Sequence, residues 1–446
     1  MVSLRHKITR IRNHPEIRRY IANTSWLMVE KIVRMFVGLF VGIWVARYLG
    51  PGKFGLLSYA QSFVILFTAI STLGLDSIVV RELVKGELQN DFLLGTAFGL
   101  KFIGAILILP LLWLAVQFTS NDQYTNLLIF IIASAAIFQS FNVIDLFYQS
   151  KVLSKYVSFA NGITLFLSST IKIALILCKA PLTLFAMMAL FDSIVLAIAL
   201  IFFCHINKHL ALFDWKFEWR TAKELLKDSW PLILSGLVIS VYMKIDQIMI
   251  KEMLSTDAVG QYAAAVRISE TWYFIPVIIA SSVFPAIVEA KKNSEQLYFS
   301  HLQNLYTLMV WMAIFVALPV SMISPWLIGF LFGNDYLEAA SVLIVHIWAG
   351  VFVFLGVAFG KFLAAENFTK KAFYRTLSGA VINITINLFL IPSYGILGAA
   401  VATLISQISA NYLYDWFDGQ LRHLIVLKHR AFFPIYLVKE NQFESS

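Results

Sequence analysis

The chain has 446 residues, of which 59% are hydrophobic and only 14% are charged, and its formal net charge is +9. A soluble domain is about 45–50% apolar and about 25% charged, so this composition excludes an ordinary soluble protein and predicts an integral membrane protein. No stretch supplies the polar surface that a bundle of soluble helices would need.

Twelve apolar runs are long enough to cross a bilayer, which takes about 20 residues. In chain order they are residues 23–48, 56–80, 92–118, 127–149, 156–178, 182–206, 230–253, 258–288, 302–323, 339–364, 372–391 and 396–417. The polar interval between the sixth and seventh runs predicts a linker with a short amphipathic helix near residues 218–228. The predicted parts are a basic cytoplasmic N-terminus (1–22), an N-terminal lobe (23–206), a cytoplasmic linker (207–229), a C-terminal lobe (230–417) and a cytoplasmic tail (418–446).

Basic residues in the connections indicate the orientation. If the N-terminus lies inside, only Arg47, Lys53, Lys179 and Lys251 fall in outer connections, and the other connecting Lys and Arg residues fall inside. This bias predicts that both termini are cytoplasmic. It also explains most of the positive net charge, and no nucleic-acid recognition motif is present. Two halves of six runs then have the same orientation, as expected for a parallel repeat.

No motif indicates an enzyme or a cofactor. The string "GPGKFG" has the glycine spacing of a nucleotide-binding loop, but it joins two predicted membrane helices and is interpreted as a turn. His205 and His209 lack a nearby third metal ligand, and Cys178 and Cys204 are predicted on opposite sides of the membrane. The sequence therefore predicts no catalytic residue, metal site or cofactor.

Charged residues inside the apolar runs are the remaining candidates for function. Each costs about 2.5–3.5 kcal/mol at the centre of an isolated membrane helix, so we expect each to face a cavity or a partner. Those near the ends of runs, such as Asp76, Asp145 and Lys172, can reach the membrane interface. The more deeply placed ones are Lys31, Arg34, Lys101, Lys244, Asp246, Arg267 and Glu270.

The stretch "VEKIVRMFVG" places three charges in the first run. On a helix, Glu30 and Arg34 are about 40° apart and Lys31 and Arg34 about 60° apart, so all three share one face. Gly38 continues that face, which suits a cavity or a close helix contact better than lipid. The simpler alternative is that Glu30 and Arg34 form only a helix-packing pair.

Charges recur in the seventh and eighth runs. "YMKIDQIMI" contains Lys244 and Asp246, and "VRISETWYFIP" contains Arg267 and Glu270. Two prolines interrupt the eighth run, where missing amide donors permit a kink. A bending helix beside a charged cavity would suit alternating access, and a static kink with paired charges is the alternative.

Three segments resemble a known family: "LFVGIWVARYLGPGKFGLLSYAQSF", "KIDQIMIKEMLSTDAVGQYAAAVRISETWYFIP" and "GILGAAVATLISQ". They are similar to the Wzx-type flippases of the polysaccharide biosynthesis family, in the MOP superfamily with the MATE exporters and the lipid II flippase. The resemblance implies an all-α polytopic membrane protein with twelve transmembrane helices in two six-helix lobes, related by pseudo-twofold symmetry around a central cavity. The implied function is translocation of a polyprenyl-pyrophosphate-linked oligosaccharide, such as an O-antigen unit, to the outer leaflet of the bacterial inner membrane.

A pyrophosphate needs cationic partners to cross hydrocarbon. We therefore expect an anionic head-group site formed by Lys31, Arg34, Lys101, Lys244 and Arg267. The candidates for coupling to H⁺ or Na⁺ are Asp246, which matches an Ile-Asp pattern of the family, Glu270 and Glu30. Glu30 is also the expected partner of Arg34 and Lys31 in the empty state. Membrane lipid and a polysaccharide polymerase are the other expected partners.

Two other functions use similar architectures. A multidrug antiporter exports cationic amphiphiles and favours an acidic cavity, which the slight excess of basic residues in the runs opposes. A membrane glycosyltransferase or polymerase would need a sizeable outer loop or paired acids near one membrane face, and the predicted outer connections are short.

Overall fold

The computed structural model describes residues 15–207 and 214–433, with side chains from residue 23 onward except residue 24. The start of the predicted N-terminus, His209 and the end of the predicted tail lie outside the described residues. Within them the secondary structure is helical, without strands. The α-helices are α1 (Pro15–Thr72), α2 (Asp76–Lys85), α3 (Asn90–Val116), α4 (Gln123–Gln139), α5 (Val143–Ser150), α6 (Lys155–Leu177), α7 (Leu182–Ile206), α8 (Trp219–Met253), α9 (Thr256–Glu270), α10 (Phe274–Asn293), α11 (Glu295–Phe332), α12 (Ala339–Ala365), α13 (Thr369–Ile408), α14 (Tyr414–Phe417) and α15 (Leu424–Phe432).

Ten helical stretches of the described chain are long and apolar enough to cross a membrane. Two of them contain a glycine with non-helical backbone, Gly50 (φ 71°) in α1 and Gly395 (φ 60°) in α13. Each glycine lies between two predicted apolar runs, so all twelve runs fall on these ten stretches. Glycine suits both points because a positive φ is strained for residues with a Cβ.

The chain divides into two compact units, each with its own core. Unit 1 comprises the described parts of Met1–Tyr48 and Ala60–Ser240, and its buried core includes Leu93, Ile144 and Leu200. Unit 2 comprises Leu49–Tyr59 and the described part of Val241–Ser446. The buried core of unit 2 includes Tyr306, Phe359 and Leu424.

Leu49–Tyr59 belongs to unit 2, although the sequence prediction assigned these residues to the N-terminal lobe and to the turn after its first helix. The cause is a close backbone contact between this part of α1 and α9. A Cβ on Gly55 would collide with the carbonyl oxygen of Thr256, and a Cβ on Gly260 would collide with that of Pro51. Small residues permit membrane helices to approach this closely.

The eighth predicted run is interrupted in the structure. A 3₁₀ turn at Thr271–Tyr273 separates α9 from α10, and Pro276 follows in the first turn of α10. Proline has no N–H to donate to the carbonyl four residues earlier, which here belongs to Trp272. This explains why the regular helix ends at this point.

The described end of the predicted linker, residues 214–229, leads directly into a long helix. Its amphipathic segment is the beginning of α8, which continues through Pro231 without a break into the seventh predicted run. Before α8, the backbone N–H of Lys216 donates to the carbonyl of Asp91 over 3.2 Å, and that of Glu218 donates to the hydroxyl of Thr96 over 3.0 Å. The end of the linker is thereby fixed to α3 in unit 1.

Candidate functional site

The charge cluster of the first run forms one ion pair on α1. The Nε of Arg34 donates to a carboxylate oxygen of Glu30 over 2.6 Å, one helical turn away. The Glu30 side chain is 10% exposed and that of Arg34 is 48% exposed. Lys31 is exposed and makes no ion pair with a described side chain. The structure thus pairs two of the three charges and leaves Lys31 accessible.

Lys101 lies on α3 in the core of unit 1. Only 5% of its side chain is exposed, and its ammonium forms an ion pair with Asp76, whose side chain is 59% exposed. Beside this pair is a cavity of about 480 Å³. Its polar lining consists of Asp76, Ser77, Asn142, Asp145 and Gln149.

Asp246 lies on α8 in unit 2 and is 5% exposed. Its carboxylate accepts hydrogen bonds from the hydroxyls of Tyr262, over 2.8 Å, and Thr403, over 2.6 Å. The amide of Asn387 donates a third, also over 2.6 Å. Asp246 forms no ion pair within the described residues, so three neutral donors hold this buried carboxylate.

Two asparagines one turn apart on α13 extend this group. The Asn387 amide lies 3.1 Å from the carbonyl oxygen of Asn383, whereas the Asn387 carbonyl oxygen is buried without a partner in the described chain. A buried hydrogen-bond acceptor of this kind is usually satisfied by an ordered water molecule or an ion. Carboxylate, amide and hydroxyl oxygens are ligands that hard cations prefer.

The cavity next to Asp246 is small. Its volume is about 20 Å³, and Tyr262, Glu270, His346, Thr403 and Gln407 contribute to its lining. A volume of about 10–15 Å³ admits one water molecule, so this cavity fits a single water or a small ion and is too small for a drug-sized molecule.

Lys244 and Glu270 pair across α8 and α9, with their charged atoms 3.6 Å apart. Lys244 is therefore paired with Glu270 rather than with Asp246, two residues away on the same helix. Arg267 lies half-buried on α9, three residues before Glu270. Of the eight predicted site residues, Glu30, Lys31, Arg34 and Lys101 lie in unit 1, and Lys244, Asp246, Arg267 and Glu270 lie in unit 2.

Sequence reasoning identified Asp246 but missed the residues around it. Tyr262, Asn387 and Thr403 are 16, 141 and 157 residues from Asp246 in the chain. The available signal was the segment "NITIN", in which two amides four residues apart interrupt an apolar helix. Polar residues at that spacing share one face.

Comparison with known proteins gives the family of this fold. The sequence profile described as "Polysaccharide biosynthesis protein" matches residues 20–291. The chain belongs to this family. The MatE profile also matches, over residues 231–389.

Two relatives from Haloferax volcanii are flippases by name. The "Probable low-salt glycan biosynthesis flippase Agl15" is 28% identical over 42% of this chain, and the match covers only 40% of that protein's length. The "Probable flippase AglR" is 24% identical over 86% of this chain and 80% of its own length.

Two solved structures share the fold of this family member. A multidrug resistance MATE transporter of the MOP superfamily, in an inward-facing conformation, has a TM-score of 0.70 with 16% identity, over 91% of this chain and 99% of its own. The lipid II flippase MurJ, in an inward closed conformation, has a TM-score of 0.69 with 16% identity, over 93% and 92%. At this identity the likeness concerns the fold.

Proposed function

We propose that this protein is a flippase for a lipid-linked saccharide. The family and the related folds are those of a membrane transporter rather than an enzyme. In the proposal, the substrate is a polyprenyl-pyrophosphate-linked oligosaccharide, such as an O-antigen unit, moved from the cytoplasmic to the outer leaflet of a bacterial plasma membrane. Twelve crossing helices in two lobes alternate access to a central cavity, with both termini in the cytoplasm. The flippase names of Agl15, AglR and MurJ support this assignment.

Cations paired with carboxylates inside apolar helices carry the proposal. Arg34 is paired with Glu30, and Lys244 with Glu270, on helices that are otherwise apolar. A pyrophosphate can replace such a carboxylate as the partner of the cation, through charge-assisted hydrogen bonds. The pairs keep the cations stable in the membrane before the substrate arrives. Lys31, Lys101 and Arg267 complete the proposed head-group site.

Loss of charge at this site tests the function. Purified protein in vesicles is supplied with a fluorescent polyprenyl-pyrophosphate disaccharide, and its appearance in the opposite leaflet is measured. We expect R34Q and R267Q to lose most of the flipping rate, because the pyrophosphate loses its partner. R220Q is the matched control, since Arg220 is an exposed residue paired with Glu224. Unchanged flipping by both site variants would exclude the proposed head-group site.

Asp246 is the proposed site of ion coupling. Its carboxylate, the amide oxygens of Asn383 and Asn387 and the Thr403 hydroxyl offer the oxygen ligands that a Na⁺ ion needs, beside a cavity of about 20 Å³. Rotation of the Asn387 amide would turn its unpartnered oxygen toward the ion. Glu270, on the same cavity, is the second acidic group.

Ion gradients across the vesicle membrane test this assignment. We expect a Na⁺ gradient to accelerate flipping by the wild-type protein but not by D246N. D335N serves as control because Asp335 is an exposed carboxylate of the same unit. A Na⁺ effect that persists in D246N contradicts the site, and a response to pH alone would identify H⁺ as the ion.

A multidrug antiporter is the second candidate, favoured by the MatE profile match at residues 231–389. The cavity beside Asp246 is too small for a drug, so this function would have to use the acidic cavity of about 480 Å³ in unit 1, which Asp76 and Asp145 line. Efflux of ethidium from cells that express the protein distinguishes the two, because the flippase assignment predicts none above the background of cells that lack the protein.

A further inference from the structure

The cavity in unit 1 contains none of the proposed pyrophosphate-binding cations in its lining. Its volume of about 480 Å³ is in the range of small-ligand pockets, which hold about 300–1,000 Å³. Asp76 and Asp145 stand on its wall near the ends of the second and fourth predicted runs. The predicted orientation places these ends at the cytoplasmic side, where a substrate from the inner leaflet would enter.

The charged side chains in the lining of this cavity are both acidic: Asp76 and Asp145. Lys101 lies beside the cavity, but it is buried and already paired with Asp76. The lining therefore contributes two carboxylates and no cation, so it disfavours an anionic ligand.

Hydrogen-bonding chemistry further limits the class of ligand that this cavity can bind. Ionised carboxylates only accept hydrogen bonds, and phosphate oxygens also only accept, so Asp76 and Asp145 cannot bind a pyrophosphate. Sugar hydroxyls donate to carboxylates and also accept from amides such as Asn142 and Gln149. Gln149 already donates to Asp145 over 3.1 Å, which orients that carboxylate. The lining therefore matches a polyhydroxyl ligand.

We propose that the cavity formed by Asp76, Asn142, Asp145 and Gln149 binds the saccharide part of the substrate and selects uncharged sugars over sugars that carry a carboxylate. This inference rests on the proposed flippase function. It separates the two parts of the substrate: the pyrophosphate contacts the cations, and the sugar contacts this acidic and amide-lined cavity.

Two matched substrates test the proposal in vesicles: a polyprenyl-pyrophosphate disaccharide of neutral sugars, and one in which the second sugar is a uronic acid. We expect the wild-type protein to flip the neutral substrate about tenfold faster, because like charges repel in a partly buried site. D145N and Q149A should lower the neutral rate, and D145N should bring the ratio of the two rates close to one. D192N is the control, because Asp192 is a unit 1 carboxylate paired with Lys172 outside the cavity.

Direct binding distinguishes this inference from the flippase function itself. Saturation-transfer NMR on the full-length protein in nanodiscs, with diacetylchitobiose as the neutral probe, should give a signal that D145N and Q149A weaken and D192N keeps. If the wild type flips neither substrate, the flippase proposal fails. The NMR binding result alone then tests whether the cavity binds a saccharide. The inference would be overturned if the wild type flipped both substrates at equal rates, or if the ratio of the two rates were unchanged in D145N. Binding of Mg²⁺ or an organic cation, but not of diacetylchitobiose, would also overturn it.

Discussion

Lys428 on α15 is a fully buried cation. Its ammonium lies 2.7 Å from a carboxylate oxygen of Asp415, donates to the backbone carbonyl of Asn411 over 2.8 Å, and stands 3.5 Å from the ring centroid of Phe359. Removing one partner of a buried pair leaves an uncompensated charge, whereas replacing both by neutral groups is often tolerated. The pair therefore makes the docking of α15 sensitive to either residue alone.

Single and double substitutions at this pair should differ in the size of their effect on stability. We expect K428M to reduce the stability of unit 2 by about 3–5 kcal/mol, and D415N/K428M to recover most of the loss. Thermal unfolding in detergent measures both. K370M is the control, since Lys370 is exposed. A double variant as unstable as K428M would show that the loss comes from the contacts of the ammonium with the Asn411 carbonyl and the Phe359 ring, and not from an uncompensated Asp415.

The same lysine should make stability depend on pH. Burial lowers the pKa of Lys428 from its ordinary 10.5 to about 8, although the nearby Asp415 carboxylate raises it in part. Between pH 8 and 10.5 the unfolded chain then binds more protons at this residue than the folded one, so stability at this site rises with pH. Below about pH 8 the residue is charged in both states and the gain is absent. The difference in thermal midpoint between wild type and D415N/K428M should therefore change between pH 8 and 10.5. If the two thermal midpoints changed in parallel with pH, the lowered pKa of Lys428 would be contradicted.

Single residues could be predicted only where their partners are close in the chain. Glu30 and Arg34 are one turn apart, so helical periodicity was enough to place them on one face. Lys244 and Asp246 were harder, because residues two apart point to opposite sides of a helix, and their partners come from α9 and α13. Lys428 falls in the predicted cytoplasmic tail (418–446), and nothing in the neighbouring sequence indicates that Asp415 and Phe359 enclose it.

At the scale of elements, the contact of α1 with α9 depends on the absence of side chains at two glycines. We expect G260A to lower the thermal midpoint and the yield of folded protein, because its methyl group would collide with the backbone carbonyl of Pro51. A backbone carbonyl cannot rotate away as a side chain can. The result is measured by fluorescence-detected size exclusion and thermal unfolding.

Gly360 on α12 provides the control for this substitution. A Cβ at Gly360 meets no atom within 4 Å, and alanine is the better helix former, so G360A should be neutral or slightly stabilising. Equal behaviour of the two variants would show that α1 and α9 can separate without loss.

Helices were predicted better than the points where they end. Apolar length alone located the spanning stretches, because a helix must cover the hydrocarbon thickness. It did not show that α8 continues from the linker through Pro231, since a proline usually signals an end but is tolerated in membrane helices. The helix break before Pro276 agrees with the rule that a regular helix usually ends just before a proline. Proline thus lies inside a helix at position 231 and follows a helix break at position 276.

For the molecule as a whole, the two native cysteines test the proposed orientation. Cys178 follows α6 and is exposed, whereas Cys204 near the end of α7 is buried. A membrane-impermeant maleimide should label the wild-type protein from outside intact spheroplasts and should not label C178A. Labelling of Cys178 only after permeabilisation would invert the topology and place the termini outside.

The membership of Leu49–Tyr59 in unit 2 has a consequence for how the protein can be divided. A polypeptide that begins in the linker would carry residues up to Ser240, which belong to unit 1, and would lack a helical segment of its own unit. The C-terminal half therefore should not fold when it is produced alone. Co-production of both fragments should restore it, so the two sequence halves depend on each other for assembly.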